Sequence, residues 1–223
     1  MELIKAINSR RSIRGYKSLP VPKATLIKIL EIATRAPSAL NSQPWEFIIL
    51  GGTVWDNLKL AIEEQYKSGA TPNRDFPMKP LTGVYRQRQV ELGVSLYQLL
   101  GIGREDTEKK TNWMLKMVHA FDAPNVIIVS IDEEISCDQS MFNLGLVSQN
   151  IALMALEYGL GTCIMGALLD YPDIVRKITD IPSSKKLAIA IAIGYPDLDF
   201  PANKLITERE SLENIVTWQG VDQ

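Results

Sequence analysis

Apolar and polar positions divide the chain into helical and extended stretches that alternate along most of its length. Residues 3–10 read as a short helix. Leu26, Ile27, Ile29, Leu30 and Ala33 then recur at helical spacing behind Pro22, which suits a first helical position, and Pro37 stops the run. Residues 46–52 read as a strand with a glycine stop. Thr53 to Asp56 resembles an N-cap with an acidic third position, opening a helix to about Ser68. Residues 69–83, with Pro72, Pro77 and Pro80, are too proline-rich for regular structure and predict a surface excursion. Two helices over 85–100 and 107–121 extend it into a helical insertion, so that about 69–121 stands apart from the rest. Tyr97, Trp113, Met114, Met117 and Phe121 lie there at helical spacing. Such residues pack a core by default, and a lid over a ligand is the sharper alternative.

The second half is plainer. Residues 125–131 form a short β-branched run and predict a buried strand. Residues 140–158 predict a long helix ended by Gly159, with few charges and apolar on most sides, which must lie centrally or in a subunit interface. Residues 159–167 form a strand flanked by small residues that let a backbone or flat ligand approach closely. Pro172 opens a helix that ends before Pro182. Residues 187–196 are the clearest strand, and their alternation of Ile with Ala predicts burial of both faces. The tail returns to charge over 203–210, and 215–218 reads as a short strand that needs an edge to pair with.

Composition narrows the function. At 223 residues the chain suits one domain, 1–223, able to bury roughly 70% of its unfolded surface. No apolar run reaches the ~20 residues of a membrane span, and Met1-Glu2-Leu3-Ile4-Lys5 is not the start of a secretory signal, so a cytoplasmic, membrane-free protein is expected. A net charge of −2 argues against a nucleic-acid partner. Cys137 and Cys163 are too few and too far apart for a zinc site or disulfide framework, and read as small buried hydrophobes. His119, the only histidine, has no acid or nucleophile motif around it. With no triad, no multi-histidine metal site, no dinucleotide fingerprint and no P-loop, any catalysis would rest on a cofactor.

Against this background, Arg10-Arg11-Ser12-Ile13-Arg14-Gly15-Tyr16 places three permanent cations and a hydroxyl within five residues of an acidic chain. Arg10 and Arg14 share a face whether the segment is helical or extended. Planar guanidinium forks with a serine hydroxyl between them suit a phosphate or delocalised anion. Taken alone, the stretch favours a plainer reading, a solvated helix end whose cations answer the dipole, since short basic clusters are common. A second stretch changes the balance: Ala36-Pro37-Ser38-Ala39-Leu40-Asn41-Ser42-Gln43-Pro44-Trp45 is a polar loop bracketed by two prolines, a rigid frame that can read the edge of a planar heterocycle.

With both motifs in this order, the sequence resembles the FMN-dependent nitroreductase family, whose members open with Arg-Arg-Ser-x-Arg-x-Tyr/Phe and follow with Pro-Ser-Ser-x-Asn-x-Gln-Pro-Trp. The likeness extends to the small-residue strand, the Ile-Gly-Tyr-Pro end of the clearest strand and the Asn-Lys-Leu-Ile-Thr-Glu-Arg-Glu tail, and is greatest to nitrobenzoate-reductase-like members. It implies an α+β fold, a central mostly antiparallel sheet flanked by helices, in an intertwined homodimer whose C-terminal strand adds to the partner's sheet. It further implies an FMN-binding oxidoreductase that takes hydride from NADH or NADPH and reduces a small planar acceptor, nitroaromatic or quinone-like, by a ping-pong mechanism. Flavin reductases, ene-reductases, dehalogenases and flavin-degrading enzymes share the scaffold, and a non-catalytic redox sensor is the alternative outside enzymes.

Carried over by position, Arg10, Arg11, Ser12 and Arg14 would meet the phosphate, ribityl chain and pyrimidine edge of FMN, with Arg209 and Lys204 completing the phosphate site. Pro37, Ser38 and Asn41 would approach from the other subunit, supported by Gln43. Met165 and Gly166 would lie beside the ring, one backbone N–H toward N5. The sequence departs from the family at Ala39, where a second serine is usual, and over 164–166, where better-known members have proline and glutamate.

Overall fold

A computed structural model describes residues 1–221. Its elements, in chain order, are α1 (Leu3–Ser9), α2 (Lys23–Ala33), β1 (Glu46–Gly51), α3 (Gly52–Lys67), α4 (Gly83–Leu99), α5 (Thr107–Val118), β2 (Asn125–Asp132), α6 (Asp138–Glu157), β3 (Gly161–Met165), α7 (Pro172–Thr179), β4 (Lys185–Gly194) and α8 (Leu212–Ile215). The strands form one antiparallel sheet in the order β1-β2-β4-β3. β2 lies inside the sheet because Val126, Ile127, Ile128, Val129 and Ile131 are β-branched and apolar, and every one of its residues except Asp132 is buried.

Period-2 alternation sends the two faces of the sheet into two cores. Val126, Ile128, Ala190 and Ala192 meet Trp55, Leu58 and Ile62 of α3, Trp113 of α5 and Val175 of α7. Ile127, Val129, Ile191 and Ile193 meet Leu26 and Ile29 of α2 and Leu144, Val147 and Ile151 of α6. Both faces of β4 are thus covered, as its alternation of Ile with Ala predicts. Trp113 and Phe121 pack in the first core with ring centroids 5.5 Å apart, so the excursion's aromatics bind it to the body. The second helix of the excursion is shorter than expected. It stops at Val118, and Ala120, Phe121 and Asp122 take left-handed backbone as the chain turns into β2.

Three further expectations are corrected. Thr53 does not cap α3; Gly51 is the N-cap, and Gly52, at φ +56°, makes the turn from β1. Residues 215–218 form no strand within the chain: Ile215 ends the single helical turn of α8, and Val216 leaves it in extended conformation without a sheet partner, since so short a strand gains little without an edge. Cys137 is exposed rather than buried, because it stands at the N-cap of α6 with Sγ 3.4 Å from Ser140 Oγ, while Cys163 is buried as expected.

The free side of β3 receives the basic stretch. Ile13 N–H donates to Thr162 O at 2.9 Å, and Ser12 forms a single parallel bridge with Thr162. Ile13 is 5% exposed, and a Cβ on Gly161 would lie 2.4 Å from its Cγ1 and 3.1 Å from its Cβ. Gly161→Ala should therefore push the basic stretch off the sheet and lower the urea unfolding midpoint by the equivalent of about 1–3 kcal/mol. An unchanged midpoint would show that Ile13 has room to step aside.

Candidate functional site at the sheet edge

Residues 11–16 are extended beside β3, so the helix-end alternative fits only Arg10, which caps α1. Arg10, Ser12 and Arg14 all act on the Cys163 thiol of β3. Burial pushes that thiol's pKa up, while the Arg14 guanidinium, the Ser12 hydroxyl and Arg10 pull it the other way without prevailing. Burial likewise holds the Tyr16 phenol well above its usual range; its hydroxyl donates to Ile13 O at 2.9 Å and braces the stretch from beneath.

Arg10 and Arg11 line a cavity of roughly 630 Å³ together with Thr207 and Arg209 from the tail, and no carboxylate among the described residues lines it. Its remaining wall is largely apolar, with Ile13, Leu160 and Ile206 among the contributors. The Arg209 guanidinium donates to Thr207 O at 3.2 Å, Thr207 Oγ1 at 2.8 Å and Glu208 O at 2.8 Å, which leaves its charge without an acidic partner among the described residues. Lys204 is exposed at the end of the turn Pro201–Lys204 and does not line the cavity.

The proline-bracketed loop is rigid by construction. Leu40, Asn41 and Gln43 have φ of 54°, 55° and 46°, a costly geometry held by several hydrogen bonds. Gln43 N–H donates to Ser38 Oγ at 2.9 Å, the Gln43 side chain donates to Asn41 O at 3.2 Å, and Ala39 N–H donates to Asn143 Oδ1 of α6 at 3.3 Å. Pro44 and Trp45 are buried and anchor the loop, while Pro37, Asn41 and Gln43 are exposed. None of the four loop residues lines the arginine cavity, so one chain does not bring Pro37, Ser38, Asn41 and Gln43 to Arg10.

At the far end of β3 the Met165 side chain is buried in the core and Gly166 is half-buried, so this corner presents backbone rather than side chain. A Cβ at Gly166 would stand 3.0 Å from Arg74 Nη1. Arg74 is paired with the Asp170 carboxylate, and the preceding Asn73 N–H donates to Asp170 O at 2.8 Å. Next in sequence, Asp75 pairs with Arg176 and accepts the Leu187 N–H at 2.7 Å. The root of the excursion is therefore pinned, although its sequence shows only prolines and a polar triplet. Arg74 and Asp170 are the residues that sequence reasoning missed. His119 also has an unforeseen acid: Glu63 Oε2 lies 2.9 Å from Nε2, in poor alignment for a hydrogen bond, and burial lowers the histidine pKa and keeps the ring neutral.

The basic stretch thus lies at the edge of an antiparallel sheet, in an α+β fold with close counterparts among solved structures. The FMN- and NADPH-dependent nitroreductase NfnB of Sphigopyxis sp. strain HMH superposes with a TM-score of 0.95 at 28% identity, covering 99% of this chain and 100% of that one. The FMN-dependent NfnB of Mycobacterium smegmatis, solved with NADPH, gives 0.91 at 26% identity over 97% of both. The chain belongs to the nitroreductase family, whose sequence model matches residues 7–195. It is 30% identical to a 4-nitrobenzoate reductase of Nocardioides sp. (strain LMS-CY) over 95% of this chain and 87% of that protein. No described helix is long and apolar enough to cross a membrane.

Asp170→Asn should release Arg74 from Gly166 and cost the equivalent of about 1–3 kcal/mol in urea unfolding, as expected for a charge-assisted contact that is largely sheltered from water. Arg74→Ala should cost a similar amount, and the double variant less than the sum. Additive losses would mean that the two side chains act independently.

Proposed function

We propose that this chain is an FMN-dependent oxidoreductase of a single domain, 1–223, that takes hydride from NADH or NADPH and reduces nitroaromatic or quinone-like acceptors in a ping-pong cycle. The observation that carries the reading is the cavity shared by Arg10, Arg11 and Arg209, with no carboxylate among the described residues in its wall, in a chain built like FMN-dependent enzymes. The residues suit the cofactor: an anionic phosphate meets three guanidiniums, and beside a flat ring Gly166 offers backbone with the Arg74 guanidinium against it. When bound, FMN supplies the transfer of hydride between nicotinamide and acceptor.

The chain's own residues bind and orient. Arg10, Arg11 and Arg209 hold the phosphate through charge-assisted hydrogen bonds, each worth about 1.5–3 kcal/mol, and Lys204 adds to the field from the tail. Ser12 serves the ribityl chain. Arg14 faces the pyrimidine edge, where a cation favours the reduced, more negative flavin and raises its potential. Met165 and Gly166 offer backbone beside the ring, with Arg74 as a second cation there. Pro37, Ser38 and Asn41, with Gln43 behind them, serve the site of a second copy, which accounts for a loop held rigid yet turned outward.

A homodimer is part of the proposal. Phe142 on α6 is 64% exposed, Ile4 on α1 74% and Trp218 in the tail 71%; apolar groups this large, spread over several elements, want a cover. The extended residues after α8 then find on the partner's sheet the edge that their own chain does not provide.

The purified protein should be yellow, bleach anaerobically with NADH or NADPH, and recover on addition of 4-nitrobenzoate or a quinone. Colourless protein that FMN cannot reconstitute would remove the proposal, and bound flavin that no nicotinamide reduces would favour a sensor. Arg14→Ala should slow flavin reduction more than it weakens FMN retention; unchanged reduction kinetics at normal FMN content would sink the role given to Arg14.

A further inference from the structure

We infer that Asn203 is the positioning residue that fixes Arg14 against the tail bearing Lys204 and Arg209, and so sets the electrostatic field at the flavin edge. The inference rests on the reading of Arg14 given above. Asn203 is 1% exposed, yet it is a polar residue in a turn, and its whole amide is occupied. Oδ1 accepts the Arg14 backbone N–H at 2.6 Å. Nδ2 donates to Gly15 O at 2.8 Å and to Asp197 O at 2.7 Å. The orientation of the amide is chemically determined, since a donor faces one end and two carbonyl oxygens face the other.

These bonds add side-chain links to the backbone contacts among three segments: the basic stretch, the turn after β4 and the start of the tail. Gly15 O also accepts the Asp197 N–H at 3.0 Å, and the ring of Phe200 lies 2.4 Å from where a Gly15 Cβ would be. The backbone at 14–15 is therefore clamped on both sides, and the Arg14 side chain leaves from a fixed point; its Nη1 folds back to Ser12 O at 3.4 Å. Neither a shorter nor a charged side chain replaces Asn203. Serine reaches neither carbonyl, and aspartate keeps the acceptor but turns an oxygen toward two others, leaving three buried acceptors to repel one another.

The test compares Asn203→Asp, Arg14→Ala and their combination, all reconstituted with FMN. Asn203→Asp should bind FMN at least tenfold more weakly than wild type at pH 8. The deficit should shrink toward pH 5, where the introduced carboxyl takes up a proton and donates again. The two-electron potential should fall in Asn203→Asp as it does in Arg14→Ala, and the double variant should fall no further than Arg14→Ala alone, because one residue acts through the other. Asn203→Ser carries the same expectation for potential and affinity if the buried charge prevents folding. A wild-type potential in the Asn203 variants beside a lowered one in Arg14→Ala overturns this inference alone, as do fully additive shifts. A wild-type potential in Arg14→Ala itself overturns the reading of Arg14 and this inference with it.

Discussion

The absence of a side chain at position 161 is the constraint from which the cationic edge follows. Ile13 occupies the volume that a Cβ there would need, and only from that depth can its N–H reach Thr162 O. Once Ile13 is seated, its neighbours have no freedom of register. Ser12 pairs with Thr162, Tyr16 with Pro196, and Gly15 passes beneath Phe200. The sheet proper remains a four-stranded antiparallel structure, and the basic stretch is a short parallel addition to its outer strand.

Gathering guanidiniums in this way carries an electrostatic cost that the fold does not relieve internally. Several cations elsewhere are matched: Arg74 has Asp170, Arg176 has Asp75 and Lys185 has Glu46 and Asp132. Among the described residues no carboxylate is paired with Arg10, Arg11, Arg14 or Arg209. Even Cys163, which Arg14 and Arg10 favour as a thiolate, stays neutral because burial outweighs them. The mutual repulsion of the unmatched charges is relieved when an anion enters, so part of the cavity's affinity is stored in the empty fold.

The framework was largely legible in the sequence, since most of β2 is β-branched, β4 alternates Ile with Ala, and Gly159 ends α6 at φ +67°. Local signals failed where a second rule competed. Thr53 looks like a cap, but the left-handed Gly52 turns the chain one residue earlier, and 215–218 has strand composition with no edge to join. The basic stretch and the bracketed loop stood out by composition alone. What holds them did not: Asn143 is 104 positions from Ala39, Asp170 is 96 from Arg74 and Asn203 is 189 from Arg14. Residues of this kind are read as ordinary polar positions until the fold brings their partners to them.

That last separation matters while the chain is being made. At synthesis rates of about 5–20 residues per second, Arg14 waits on the order of 10–40 s after its own addition before Asn203 is translated. All four strands are made within that time, but the tail that carries Thr207 and Arg209 to the cavity wall is still to come. The nascent protein thus displays its arginines as an open basic arm, available to any polyanion near the ribosome, and acquires a shaped pocket only when nearly the whole polypeptide has emerged.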